Sequence, residues 1–302
     1  MINSNTESSD SIVVIVKQKL NDYYLLMKFT LSFTVVFSSV VCYLLAPGIS
    51  FDFLSVLLLF VGGMLVTGSA NAINQIVEKD TDALMQRTLK RPIASGRMSS
   101  NEGWIFAFCS ALIGIFILGI WFNWLTAIIS LFSLFLYAFV YTPLKKIHGI
   151  AVMVGAIPGA LPCLIGWVAG TDSLSLGGWI LFCIQFFWQF PHFWAIAWVS
   201  YNDYSKAGFK LLPDKGGPTK FAAIQSILYQ VILVPLCVLP YFAQMTGKYS
   251  LIILCVANIF MLWQCIRLYI EMDIKAARRV MFGSYGYLPI VLLALLADKL
   301  NG

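Results

Sequence analysis

The sequence predicts an all-α integral membrane protein, with nine transmembrane helices in one bundle. Three observations predict it. First, the 302 residues are 60% hydrophobic and 11% charged, with mean hydropathy +0.83, whereas a soluble domain is nearer half apolar and a quarter charged. Second, apolar runs long enough to cross a bilayer recur along the chain. Third, the basic residues gather in alternate loops.

The elements follow in order. "MINSNTESSDS" at the start is polar and reads as unstructured. It carries Glu7 and Asp10 and no Arg, which argues against a transit peptide, and it lacks the layout of a cleavable signal. "IVVIVKQKLNDYYLLMK" then reads as an interfacial amphipathic helix. Residues 1–24 therefore form a polar and interfacial N-terminal segment, and 25–302 a single transmembrane domain. The nine runs lie near 26–46, 52–74, 103–122, 124–142, 150–170, 178–199, 221–243, 249–270 and 281–298. Pro143, Gly149, Pro158, Gly159 and Pro162 are expected to distort the helices around them.

Charge sets the expected orientation. Lys17, Lys19 and Lys28 precede the first span or open it, and Lys79, Arg87, Lys90, Arg91 and Arg97 follow the second. Lys145 and Lys146 follow the fourth, Lys206, Lys210, Lys215 and Lys220 the sixth, and Arg267, Lys275, Arg278 and Arg279 the eighth. Only Lys248 and Lys299 fall on the other side. The N-terminus is thus expected in the cytoplasm and the C-terminus outside.

Composition also excludes chemistry. The seven cysteines are scattered with no CxxC, and only two histidines exist, His148 and His192. A clustered Cys/His metal centre or a Ser-His-Asp triad is not expected.

Three stretches carry polar groups where apolar ones would be cheaper. In "NAINQIVEKDTDALMQRTLKRP", residues 71–92, Asn74, Glu78 and Asp82 stand four residues apart. On a helix they fall at roughly 0°, 40° and 80°, one narrow face at the end of the second span. Asn71 lies on the same side and Asp80 points away. Two carboxylates and an amide suit a hard cation such as Mg2+, and Arg87, Lys90 and Arg91 suit a phosphate. Ordinary surface ion pairs would also explain such a loop. In "IQFFWQFPHFWAIAWVSYNDYSKAG", Gln185, Gln189 and His192 share one face of an aromatic-rich helix and should turn inward. Packing is the plain alternative for His192, and a cytosolic loop acid the plain alternative for Asp203. In "YTPLKKIHGIAVMVGAIPGALPCLIGW", Lys145 and Lys146 are explained equally well as membrane-anchoring lysines. The small residues Gly155, Ala156, Gly159 and Ala160 allow close helix approach.

These stretches resemble the protohaem IX farnesyltransferases (haem O synthases), a branch of the intramembrane aromatic prenyltransferases. The resemblance rests on Asn74, Gln75, Glu78, Asp82, Met85, Arg87, Thr88, Arg91 and Pro92; on Tyr141 to Lys146; on Trp188, Gln189, Pro191, His192 and Phe193; and on Asp203, Tyr204 and Gly208. It runs from about residue 25 to the end. The chain departs from the family's pattern at Cys163 and Ala151, and its second acidic motif holds only Asp203 and Asn202.

The resemblance implies transfer of a farnesyl group from farnesyl diphosphate to a vinyl group of haem B, giving haem O and diphosphate. It implies Mg2+ on Glu78, Asp82 and Asp203, with Asn74, Glu78, Asp82 and Lys145 serving catalysis. Arg87, Lys90, Arg91, Lys146 and Lys206 would hold diphosphate, and Trp188, Gln189 and His192 would hold haem. Its partners would be the two substrates, the lipid bilayer, and haem A synthase or terminal-oxidase assembly proteins, with no nucleic acid. It places the chain in a bacterial cytoplasmic (inner) membrane. Two other readings stay open: a prenyltransferase acting on a quinone precursor or chlorophyllide, and a transporter with a midplane ion site.

Overall fold

A computed structural model describes residues 4–214 and 216–300. Lys215, counted above among the basic loop residues, lies outside them. The described residues are helical, and the one piece of extended pairing is an isolated bridge between Thr246 and Lys299. In chain order the helices are α1 (Ser4–Leu26), α2 (Phe29–Leu45), α3 (Phe53–Val77), α4 (Lys79–Asp82), α5 (Ser100–Trp121) and α6 (Trp124–Phe135). A π-helical turn, Leu136–Tyr141, joins α6 to α7 (Thr142–Ile147). Then come α8 (Ala151–Thr171), α9 (Leu176–Val199), α10 (Tyr201–Lys206), α11 (Lys220–Phe242), α12 (Lys248–Glu271) and α13 (Ile274–Ala297).

Eight of these segments are long and apolar enough to cross a membrane. A ninth span arises if Val14–Leu26 and Phe29–Leu45, bent by 50°, are taken together. The bundle packs as a sequence of neighbours: α3 along α5, α2 along α8, α8 along α9, and α9 against α11 and α13. Large apolar side chains such as Phe108, Ile120, Phe242, Val256 and Ile259 stay exposed on the outside. An apolar exterior of this kind belongs against lipid. The protein is a multi-pass membrane protein.

Three boundaries differ from the sequence expectation. The polar N-terminal stretch, expected to be unstructured, is helical from Ser4 onward, since extending an existing helix costs far less than starting one. The fourth span does not end at 142 but runs to Ile147, because the π-turn accommodates the chain before Pro143. There Tyr137 O accepts both Thr142 N and, at 2.9 Å, Thr142 Oγ1. The last helix begins at Ile274, where the Asp273 carboxylate accepts from Ala276 N at 2.6 Å as an N-cap. That places Arg278 and Arg279 inside the helix rather than in a loop.

Small residues do bring helices together. A Cβ on Gly166 would sit 1.8 Å from Ser39 O, and one on Gly159 would sit 1.9 Å from Gln189 Oε1. Both α2 and α9 thus reach α8 only because these positions lack side chains. The carbonyl that Pro162 frees, Pro158 O, accepts Ser133 Oγ at 3.3 Å.

Candidate active site

The acidic face assembles at one end of the bundle. Helix α3 stops at Val77, Glu78 turns the chain with φ −95° and ψ 10°, and α4 continues to Asp82. Asp82 N donates to Glu78 O at 2.7 Å. The i, i+4 relationship therefore survives the helix break. Asn74, Glu78 and Asp82 are all buried, whereas Asp80 is exposed, as the spacing required.

Three cations from distant parts of the chain meet this face. Lys145 Nζ forms an ion pair with Glu78 Oε1, both side chains nearly inaccessible. Arg91 Nη1 donates to Asp82 Oδ2 at 2.6 Å. Lys28 Nζ donates to Asn74 Oδ1 at 2.8 Å. The Asn74 amide donates onward to Thr142 Oγ1 at 3.2 Å, and Asn71 Nδ2 donates to Ser32 Oγ at 3.0 Å. Burial pushes the Asp82 carboxyl up from the ordinary carboxylate range, and the Arg91 guanidinium opposes that rise.

A second layer holds the basic loop 83–99. Thr88 Oγ1 donates to Asp82 O at 2.8 Å. Arg87 Nη2 donates to Tyr204 OH at 2.8 Å, and its guanidinium lies 5.1 Å from the Tyr204 ring centre. Loop 83–99 is thereby tied to α10, where Asp203 and the exposed Lys206 lie. Lys145 also faces the rings of Tyr141 and Phe209 at 4.9 and 5.2 Å.

The donor set fits a hard divalent cation in part. Among the described residues, Asp82 Oδ1 is buried with no hydrogen-bond partner, and Glu78 Oε1 meets Lys145 as an ion pair without a directional hydrogen bond. A buried carboxylate oxygen left bare, as Asp82 Oδ1 is, is costly unless something charged fills the space beside it. No group of three or more His, Cys, Asp or Glu side chains converges among those residues, so Asp203 is not gathered with Glu78 and Asp82 here.

The span-six residues make their own set of contacts. Gln189 Nε2 donates to Ala156 O at 3.0 Å and Gln185 O at 3.1 Å, which makes it a tie between α8 and α9. Trp188 Nε1 donates to Ser284 O at 3.2 Å. His192 stacks on Trp188 with ring centres 4.7 Å apart, and its Nδ1 lies 2.8 Å from Ser284 Oγ. Lys90, Lys146 and Lys206 are exposed and outside the buried cluster. Sequence reasoning missed Lys28, which had been read only as an orientation signal, and the Thr142–Tyr137 link beneath Asn74. No pattern in the sequence marked Lys28, and Thr142 stood inside the Tyr141 to Lys146 stretch without a role attached to it.

A sequence model of the UbiA prenyltransferase family matches residues 35–286. The chain belongs to the UbiA prenyltransferase family. It is 45% identical over 278 residues to a protoheme IX farnesyltransferase of Cytophaga hutchinsonii, covering 92% of this chain and 97% of that protein. It is 42% identical over 285 residues to a protoheme IX farnesyltransferase of Christiangramia forsetii, covering 93% and 94%. The fold of this UbiA-family chain is similar to a digeranylgeranylglyceryl phosphate synthase structure, with TM-score 0.78 at 23% identity over 93% of this chain and 98% of that one. It is also similar to a UbiA homolog from Archaeoglobus fulgidus bound to GPP and Mg2+, with TM-score 0.66 at 14% identity over 91% and 99%. The expectation of a membrane-embedded prenyltransferase is borne out, and the transporter reading falls away.

Proposed function

We propose that this UbiA-family enzyme transfers a farnesyl group from farnesyl diphosphate to a vinyl group of haem B, releasing diphosphate. The observation that carries the reading is the buried pair Glu78 and Asp82, one turn apart, ringed by Lys145, Arg91 and Lys28. Acids and bases so placed suit a magnesium diphosphate better than either component alone. The relatives' shared activity supplies the haem acceptor.

Glu78 and Asp82 would hold Mg2+, and the family resemblance adds Asp203 on α10, which is not gathered with them here. The metal supplies Lewis acidity toward a departing diphosphate. The chain's own residues do the rest. Arg91, Lys145, Lys28 and Arg87 give charge-assisted hydrogen bonds to diphosphate as its allylic C–O bond breaks and negative charge grows on it. Lys90, Lys146 and Lys206, exposed at the rim, attract the incoming anion. The apolar helices keep water from the allylic cation until the vinyl carbon attacks. Water then captures the cation beside the porphyrin, giving a hydroxyethylfarnesyl group and releasing a proton to solvent. His192 and the ring of Trp188 hold the haem on α9, and Gln189 fixes α9 to α8 below them.

The Lys and Arg distribution supports a cytoplasmic site, N-terminus inside and C-terminus outside, in a bacterial inner membrane. The test is incubation of the purified protein with haem B and farnesyl diphosphate, with and without Mg2+, followed by mass analysis of the porphyrin. A farnesylated, hydrated porphyrin that needs Mg2+ is expected. An unchanged porphyrin alongside farnesylation of a quinone precursor would overturn the acceptor.

A further inference from the structure

We propose that Asp22, on the N-terminal helix α1, is a positioning residue for the diphosphate-binding loop. The proposal rests on the reading of loop 83–99 as the element that brings Arg87 and Arg91 to diphosphate.

Asp22 is 3% exposed, although its helix is otherwise set with exposed residues such as Val14, Ile15, Val16 and Leu20. Its Oδ1 accepts from Arg97 Nε at 2.9 Å. Arg97 does not stop there. Its Nη2 donates to Lys90 O at 3.0 Å and its Nη1 to Ser95 Oγ at 2.9 Å. Lys90 is the residue before Arg91, whose N donates to Thr88 O at 2.9 Å and whose O accepts from Ser95 N at 2.9 Å. One buried carboxylate on α1 thus anchors a guanidinium that holds the loop from both sides of Arg91. Arg91 in turn pairs with Asp82.

The far end of the loop is braced by the same helix. Lys19 Nζ and Tyr23 OH each lie 2.7 Å from a Glu102 oxygen in the first turn of α5. Lys19, Asp22 and Tyr23 are spaced three and one apart, so they share a face of α1 turned to the loop. A loop of this length without secondary structure would otherwise sample many conformations. A helix read from sequence as a membrane-surface anchor is therefore also the brace that keeps Arg91 aimed. A buried carboxylate whose partner is removed is a costly remnant, which makes the pair act as a unit.

The test uses the full-length protein with Asp22→Asn, Arg97→Gln and the swap Asp22→Arg/Arg97→Asp. Lys17→Ala, an exposed change on the same helix, is the control. The first readout is hydrogen–deuterium exchange of loop amides 84–97, which does not depend on the substrates. The second is the split between KM for farnesyl diphosphate and kcat. Asp22→Asn should speed loop exchange about tenfold and raise KM about tenfold, with kcat changed less than about twofold. The swap restores the ion pair but not the donors to Lys90 O and Ser95 Oγ, so it should stay as impaired as Arg97→Gln in both readouts, and Lys17→Ala should move neither. Should Asp22→Asn fail to accumulate in the membrane, Arg97→Gln makes the same test from the more exposed partner. Unchanged loop exchange, or a fall in kcat with KM constant, would overturn the proposal. Faster loop exchange in a protein whose wild type does not use farnesyl diphosphate would instead overturn the substrate reading and leave the brace standing.

Discussion

Lys28 Nζ donates to Asn74 Oδ1 across 2.8 Å, from the point where α1 and α2 part. Lys28 itself has φ 48° and ψ 57°, the left-handed region that costs a residue with a Cβ about 1–2 kcal/mol. The break it makes turns α2 by 50° from α1 and delivers an ammonium to the acidic face. Backbone conformation and charge can be separated. Lys28→Gly removes the left-handed strain but adds unfolded-chain entropy of about 1 kcal/mol, so thermal stability should shift by only a few degrees. Turnover should fall about tenfold or more with the lost charge. Lys28→Arg should retain more activity than Lys28→Gly. A Lys28→Gly protein with wild-type turnover would remove the ammonium from the reaction.

The two carboxylates should be close to indispensable. Asp82→Asn and Glu78→Gln are each expected to lower turnover about 10²-fold or more, with membrane insertion unchanged. Asp80→Asn should be mild, because Asp80 is exposed and off the buried face. Near-normal Asp82→Asn activity at saturating Mg2+ would sink the assignment. Burial holds the Asp82 carboxyl above the ordinary range. The ionised form that can take a cation is therefore lost as pH falls through that raised value. The acid limb of kcat/KM should lie above the pH where an exposed Asp would titrate.

Arg91 should act through binding. Its guanidinium pairs with the buried Asp82 at 2.6 Å, and a planar fork suits diphosphate better than a lysine point charge. Arg91→Lys should raise the KM for farnesyl diphosphate more than it disturbs haem binding. An unchanged KM for both Arg91→Lys and Arg91→Ala would leave Arg91 as an orientation signal.

What the sequence made legible follows from what is local. Long apolar runs marked the spans, and the four-residue spacing of Asn74, Glu78 and Asp82 marked the acidic face, because helix periodicity turns sequence distance into direction. Lys145 was visible as a candidate but not its burial, which depends on the π-turn at 136–141 and on Glu78, 67 positions earlier in the chain. Lys28 was hidden because a left-handed break with no glycine or proline leaves no signal. Asp22 and Arg97 were hidden because their pairing, 75 residues apart, is made by folding alone.

His192 carries the last prediction. Its Nδ1 lies 2.8 Å from Ser284 Oγ, and Ser284 Oγ donates to Met281 O at 2.7 Å. With its proton committed to that carbonyl, the Ser284 hydroxyl accepts, so Nδ1 bears the hydrogen. The lone pair then resides on Nε2, the arrangement that a neutral imidazole needs to bind a metal while its other nitrogen is oriented by a partner. Trp188 stacks against the ring at 4.7 Å and Tyr285 meets it edge-on at 5.3 Å, which fixes its plane. His192→Ala should therefore weaken haem B binding and shift its Soret band, while farnesyl diphosphate binding in the presence of Mg2+ stays near wild type. Ser284→Ala should weaken haem binding less, because it frees the tautomer without removing the ligand. His148→Ala should change neither, since His148 is exposed and its Nδ1 accepts from Ile150 N at 3.0 Å. If His192→Ala binds haem B with the wild-type spectrum and affinity, His192 is a packing residue that ties α9 to α13.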